Sequence, residues 1–471
     1  MNIRFFFPTL FLLTLFVGCN VGPNYPYPEN IVPEEWKRAS EPSSEMEEVC
    51  HWWEIFEDDK LNRLIEQALG NNYSLKAAIE RIIQARAEAG MSGSDLYPHF
   101  NAAPSYNNET FLNKAFGAQV LSNSKAPVPL FRQHQITYSL PFNLSWELDL
   151  WGRLKNIYCS AVYHAEAEYE AFADLALVLT TDLADRYFRI RSLDQQLDLF
   201  LKTIETRKKA LKVNQDRYEY KIINYDPVSQ ARLDLANVEA DYYEAKRLRE
   251  SLENSIATLI GVPSSLFYLE HHPLTNNPPP VLASLPSEVL LRRPDIRQLE
   301  RERASTHALV RAAYGAYFPS FSLTSAIGFL SPDLKYFLSA RSKYWSVGTN
   351  AFQTIFDAGY LDSNLKLQWA RFNEADENYK QSVLLALEEV NTSLSDIEWF
   401  YQESNKLQES VEAANITYRI AFDRYIEGIG LYLAVVDSER DLLNAERALN
   451  AVRGQRYTAS IQLIKALGGT W

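Results

Sequence analysis

Few side chains in this chain are arranged for catalysis or metal binding. Seven histidines, His51, His99, His134, His164, His271, His272 and His307, are scattered. None falls in an H-E-x-x-H or a cysteine–histidine zinc spacing. His271-His272 adjoins Pro273 and precedes Pro278-Pro279-Pro280, the setting of a solvated loop. No glycine-rich loop is present to cradle a phosphate, so any energy-consuming step falls to partner proteins. The reactive group that remains is the thiol of Cys19, which directly follows the small residue Gly18 and a mostly apolar stretch from Phe5 to Val17.

That stretch, preceded by Arg4, is too short for a membrane-spanning helix of roughly 20 residues and fits a secretory leader. Leu15-Phe16-Val17-Gly18-Cys19 resembles a bacterial lipobox, although Phe16 stands where leucine is usual. The resemblance implies that residues 1–18 are removed and that Cys19 carries a covalent diacylglycerol and an N-acyl chain. No other cofactor is expected. Asn20, in place of the aspartate that commonly retains lipoproteins in the inner membrane, implies transport to the outer membrane of a Gram-negative bacterium. Residues 19–51 then form an anchor and extended segment. Cys50 and Cys159 are not expected to pair. A helix from about Phe56 to Tyr97 between them would separate its ends by about 60 Å, and a disulfide needs alpha carbons within about 7 Å.

The charge balance, 47 basic against 60 acidic residues for a net −13, supplies no basic surface for nucleic acid. A hydrophobic fraction of 46% is ample for a core.

The chain is written twice. Asp216-Arg217-Tyr218 recurs as Asp423-Arg424-Tyr425, 207 positions on. The same offset takes Val228 to Val435, Asp234 to Asp441 and Ile260-Gly261 to Leu467-Gly468. Residues 52–285 and 286–471 are thus two structural repeats, each reading helix, β-hairpin, very long helix, tip turn, helix. The segments 152–218 and 360–425 lack proline and are rich in helix formers. Each would run about 100 Å. Such helices alone would equally suit a periplasmic coiled-coil scaffold.

The hairpins argue against a simple rod. From Ile136 to Asp149, apolar and polar residues alternate without a break, and one face collects Ile136, Tyr138, Leu140, Phe142, Leu144, Trp146 and Leu148. Apolar outside, polar inside and aromatic near the ends is the pattern of a transmembrane barrel strand. Pro141 is expected to mark a bulge or bend. A weaker strand near 100–111 completes a hairpin spanning 100–149, and a second hairpin spans 320–357. Long polar loops, Asn113 to Gln133 and Ser331 to Ser342, suit an extracellular side. Four strands cannot close a barrel, and open edges are excluded from lipid, so several chains must share one barrel.

Gly22-Pro23-Asn24-Tyr25, Trp52-Trp53, Trp146 to Arg153, Arg292-Arg293-Pro294-Asp295-Ile296 and Ala466 to Trp471 occur in this order along the mature chain. The set resembles the TolC-like outer-membrane factors, and within them the lipid-anchored OprM/NodT-like branch. The resemblance implies a homotrimer, with twelve strands in one β-barrel and a coiled-coil barrel of long helices. It also implies a periplasmic adaptor, an inner-membrane pump of the RND type, and passive efflux of small molecules without enzymatic activity. An ABC-driven protein-secretion duct is the alternative within the same fold. The tip turns, 219–227 and 426–433, are the functional candidates. By resemblance, Leu433 and Asp437 form apolar and acidic rings of a gate, and Arg424 and Tyr425 hold it closed. Lys221, Asp226, Glu427, Gly428 and Gly430 would meet the adaptor. Lys221 stands where the second repeat has Gly428, a departure from the pattern.

Overall fold

A computed structural model describes residues 21–26, 33, 36, 51–113, 131–274, 277–281 and 292–469. Cys19, Cys50 and most of the first polar loop lie outside the described residues; Cys159 is half-buried with a free thiol. The chain divides into two compact units that do not coincide with the repeats. The first comprises Met1–Pro28, Ile83–Glu166 and Arg301–Asp376, and the second Glu29–Ile82, Ala167–Glu300 and Glu377–Trp471. Each unit therefore draws on both repeats.

The first unit holds an antiparallel sheet of β1 (His99–Ala102), β2 (Ser105–Asn113), β3 (Phe131–Leu148), β4 (Ser320–Ser331) and β5 (Lys343–Phe352). Both β1 and β2 pair with β3, which pairs with β4, which pairs with β5. Segments β1 and β2 are one strand interrupted at Ala103-Pro104. Ala102 opposes Phe142 and Ser105 opposes Ser139, so both sides step equally and the register never slips. Proline cannot donate to the ladder, whereas the Ala103 N–H still reaches the Pro141 carbonyl at 3.2 Å.

Pro141 makes no bulge. It sits opposite Gly328, flanked by the in-register pairs Leu140–Phe329 and Phe142–Ile327. A Cβ at Gly328 would overlap the Leu140 carbonyl oxygen and stand 2.9 Å from the Pro141 Cα, so the missing side chain is what admits the proline. The pairing collects Phe100, Tyr106, Tyr138, Phe142, Trp146, Leu323, Ile327, Trp345 and Val347 on one face. Asn101, Asn143, Ser145, Thr324, Ser346 and Asn350 share the other. Ile327, Trp345 and Val347 are exposed in the single chain. Among the described residues, the outer sides of β1/β2 and of β5 have no strand partner.

At the strand-to-helix junctions the repeat is explicit. The Asp149 carboxylate accepts from the Lys155 N–H at 2.7 Å, and Asp357 accepts from Gly359 and Leu361 at 2.9 Å each. These caps open two helices of equal length, α3 (Arg153–Glu219) and α6 (Tyr360–Ile426), 67 residues each. The remaining helices are α1 (Asp59–Asn71), α2 (Tyr73–Ser94), α4 (Asp226–Leu259), α5 (Pro294–Gly315) and α7 (Tyr432–Ala466).

The single helix expected from Phe56 to Tyr97 is two helices. Asn72 breaks it, because its side-chain oxygen accepts from the Ser74 and Leu75 N–H groups and its amide donates to the Leu259 carbonyl. In the second unit a core of Trp52, Leu61, Ile65, Leu183, Ile190, Ile256 and Ile464 joins α1, α3, α4 and α7. Beside it lies a buried polar knot. Asp194 on α3 is fully buried and accepts from Arg249 at 2.6 Å, Arg191 at 3.3 Å and the His272 N–H at 3.0 Å. Arg293, which precedes α5, ties Asp295, Glu389 and the Ala466 carbonyl together.

Candidate functional site

The two tip turns belong to the second unit, and both close with the same backbone device. At the end of α3, Lys221 N–H donates to the Tyr218 carbonyl and Ile222 N–H to Arg217. At the end of α6, Gly428 donates to Tyr425, and Ile429 to Arg424 at 3.0 Å. This pattern places one residue in the left-handed region, Lys221 at φ 57° and Gly428 at φ 78°. The lysine carries a Cβ there, at a cost of about 1 kcal/mol that the glycine avoids. Gly430 also donates to the Arg424 carbonyl, at 3.0 Å. Arg424 thus organises the second turn through its backbone, while its side chain is exposed.

Tyr425 is the inward residue of the tip. Its hydroxyl donates to the Oδ1 of fully buried Asn214 at 2.9 Å, and the Arg217 guanidinium lies 4.4 Å from its ring centre. It therefore fastens the end of α6 to the end of α3. The ring also meets Tyr432 at 5.4 Å, and the repeat-related pair Tyr218–Tyr225 meets at 5.3 Å. Tyr218, unlike Tyr425, is exposed. Sequence reasoning places Arg217 only in the repeat motif and passes over Asn214; an asparagine inside a long helix, where it is a poor helix former, is the signal that flags the latter.

Above the tip, one arginine serves two carboxylates. Arg207 on α3 is 3% exposed and sits 3.4 Å from Asp234 on α4 and 3.3 Å from Glu439 on α7. Burial pushes the Glu439 carboxyl above its ordinary range; Arg207 opposes this and Asp234 reinforces it. Burial also pushes Tyr432 up to about 12. Sequence reasoning missed this clasp, whose partners are joined by tertiary packing alone.

The remaining expected residues sit nearer solvent. Leu433 is 59% exposed, in company with Ile429 and Leu431, which are also exposed. Asp437 is half-buried and paired with Arg440 at 3.3 Å. Glu427 and Lys221 are exposed on their turns, and Asp226 opens α4 in its first turn, where a carboxylate complements the helix dipole. Within one chain, Leu433 and Asp437 are not brought together with Tyr425 by any hydrogen bond or ring contact. Among the described residues, no three His, Cys, Asp or Glu side chains gather as a metal site.

Family comparison accounts for nearly all of these elements. The model of the outer membrane efflux protein family matches residues 64–262 and 285–469. The chain belongs to that family. This outer membrane efflux protein is 27% identical over 442 residues to the pyoverdine export outer membrane protein OpmQ of Pseudomonas aeruginosa, covering 93% of this chain and 91% of the relative. It is 26% identical over 471 residues to the probable outer membrane lipoprotein SilC of Salmonella typhimurium, covering 98% and 97%. The outer-membrane channel OprN superposes with a TM-score of 0.87 at 28% identity, covering 96% of this chain and 99% of that one. The efflux protein is therefore an outer-membrane channel component with the TolC-like fold, mostly helical with one antiparallel sheet.

Proposed function

We propose that this efflux protein is the passive exit duct of a tripartite assembly, closed into one barrel and one helical tunnel by three copies of the chain. The observation that carries this is the sheet. Its register is continuous over four strand positions, one face is apolar, the other polar, and among the described residues both edges lack strand partners. From Tyr138 to Leu148, β3 covers about 34 Å along the strand, or about 26 Å of membrane normal at a tilt near 40°. That matches the roughly 25 Å apolar band of outer-membrane barrels. Tyr106 and Tyr138 lie at one end of this span, and Trp146 and Phe321 at the other, as interfacial girdles do.

Cys19 carries the acyl anchor in this reading, supported by its lipobox-like setting and by the relative named as a lipoprotein. The tips meet a periplasmic adaptor and an RND-type pump, which supplies energy and chooses cargo; the duct itself performs no reaction. Leu433 and Asp437 line the constriction, and Tyr425 holds it closed through Asn214 and Arg217. A carboxylate within about 4 Å of a passing ion is worth about 1 kcal/mol in water-like surroundings, about fivefold in cation occupancy. Asp437→Ala is accordingly expected to reduce cation-over-anion preference about fivefold in reversal-potential measurements on planar bilayers. An unchanged reversal potential removes Asp437 from the gate and leaves the duct reading intact.

A further inference from the structure

We propose that the loop joining β4 to β5 is a docking surface for the phosphate-bearing glycolipid of the outer leaflet, held by Lys335, Arg341 and Lys343. The proposal rests on the barrel reading given above. The loop belongs to the first unit, and β4 enters it from the end that follows α5, so the loop lies at the end of the sheet remote from the helices. Between residues 320 and 356 the chain carries one acid, Asp333, and three bases, Lys335, Arg341 and Lys343. This local excess of positive charge stands out in a chain whose net charge is −13. All three cations are exposed, and none is ion-paired among the described residues.

The register fixes the side that Lys343 takes. It pairs with Phe329, which pairs with Leu140, and it shares its face of β5 with Trp345 and Val347. That is the apolar face, so Lys343 ends the lipid-facing column of β5 at its outer end. A lysine placed there lays its stem along apolar surface and carries its ammonium to headgroup level. The loop is fastened to the same face, because the Phe337 ring meets Tyr138 at 6.1 Å.

Its backbone is ordered by its own side chains. The Ser342 hydroxyl donates to the Tyr336 carbonyl at 2.6 Å, the Ser331 hydroxyl donates to the Asp333 carbonyl at 2.8 Å, and the Asp333 carboxylate accepts from the Lys335 N–H at 2.9 Å. Lys335 and Arg341 are thus presented on a set frame, with the exposed Leu334 and Leu338 interleaved between and beside them. Cationic and apolar side chains mixed on one surface, at the edge of a lipid-facing sheet, suit a phosphate attached to acyl chains better than a free anion.

The test titrates bisphosphorylated lipid A into the purified full-length protein, as wild type, as the triple variant Lys335→Gln, Arg341→Gln, Lys343→Gln, and as Lys343→Arg. Each Lys or Arg near an anionic headgroup surface contributes about fivefold in affinity, so the triple variant is expected to bind about a hundredfold more weakly. Lys343→Arg, which keeps the charge, should bind like wild type. Dephosphorylated lipid A should bind wild type and triple variant equally weakly. Equal affinity of wild type and triple variant for the bisphosphorylated lipid would overturn the proposal. Displacement of that lipid by excess inorganic phosphate would also overturn it, since the loop would then hold a free anion. Insertion of the wild type into planar bilayers is measured in parallel. Protein that inserts but does not prefer the bisphosphorylated lipid overturns the docking surface alone; protein that never inserts overturns the barrel reading with it.

Discussion

Asp194→Ala is expected to destabilise the second unit by about 3–5 kcal/mol, the range for removing one partner from a buried charge cluster. Asp194 has no solvent exposure and is the carboxylate shared by Arg191 and Arg249, with the His271 ring 3.2 Å away. Arg249 would keep Glu253 at 3.1 Å and the Leu269 carbonyl at 2.7 Å. Arg191 would keep the Glu270 carbonyl at 2.6 Å and the Tyr187 hydroxyl at 3.0 Å. Arg191 would lose its carboxylate partner and Arg249 one of its two, with both guanidinium side chains nearly buried. Asp194→Asn, which retains an acceptor without the charge, should cost less, about 1.5–3 kcal/mol. The readout is the temperature at which the purified protein unfolds, lowered by roughly 10 °C for alanine. Equal stability of wild type and Asp194→Ala would mean that the knot contributes nothing net.

Gly328→Ala is expected to block assembly of the sheet. The added methyl would meet main-chain atoms of Leu140 and Pro141, which cannot rotate away as a side chain would. The β3–β4 pairing joins the two hairpins, so its loss separates the sheet into halves. A cost of about 3 kcal/mol, the upper end of overpacking, falls on this one seam. Gly348→Ala is the matched control. Its Cβ would lie 3.1 Å from the Thr324 hydroxyl, a side-chain atom that can turn aside. Heat-modifiable mobility on SDS gels and yield in the outer membrane should fall sharply for Gly328→Ala and little for Gly348→Ala. Similar yields of heat-stable protein from both would remove Gly328 from the seam.

The elements carried by local pattern are legible in the sequence. Two proline-free segments rich in helix formers are two helices of identical length, and the alternation beginning at Ile136 runs to Leu148, the end of one 18-residue strand. The internal offset of 207 likewise matches repeated details, such as the ring pairs Tyr218–Tyr225 and Tyr425–Tyr432. What was not legible depends on partners far away in the chain. Asn72 ends a helix because Leu259, 187 residues on, accepts its amide. Pro141 is tolerated in mid-strand because a glycine from the other repeat faces it. The inward set of Tyr425 depends on Asn214, whose type alone names no partner. Leu433 and Asp437 carry roles assigned by resemblance, and a ring made by symmetry copies leaves little mark on a single chain.

Single-channel recording of the purified, full-length protein in planar bilayers tests the duct most directly. Wild type should give discrete, uniform, cation-preferring steps. Tyr425→Ala, which removes the Asn214 bond and the ring beneath Arg217, should give larger and longer openings. Membranes that contain inserted, heat-stable protein yet stay silent with both forms would contradict a passive duct gated at its helix tips.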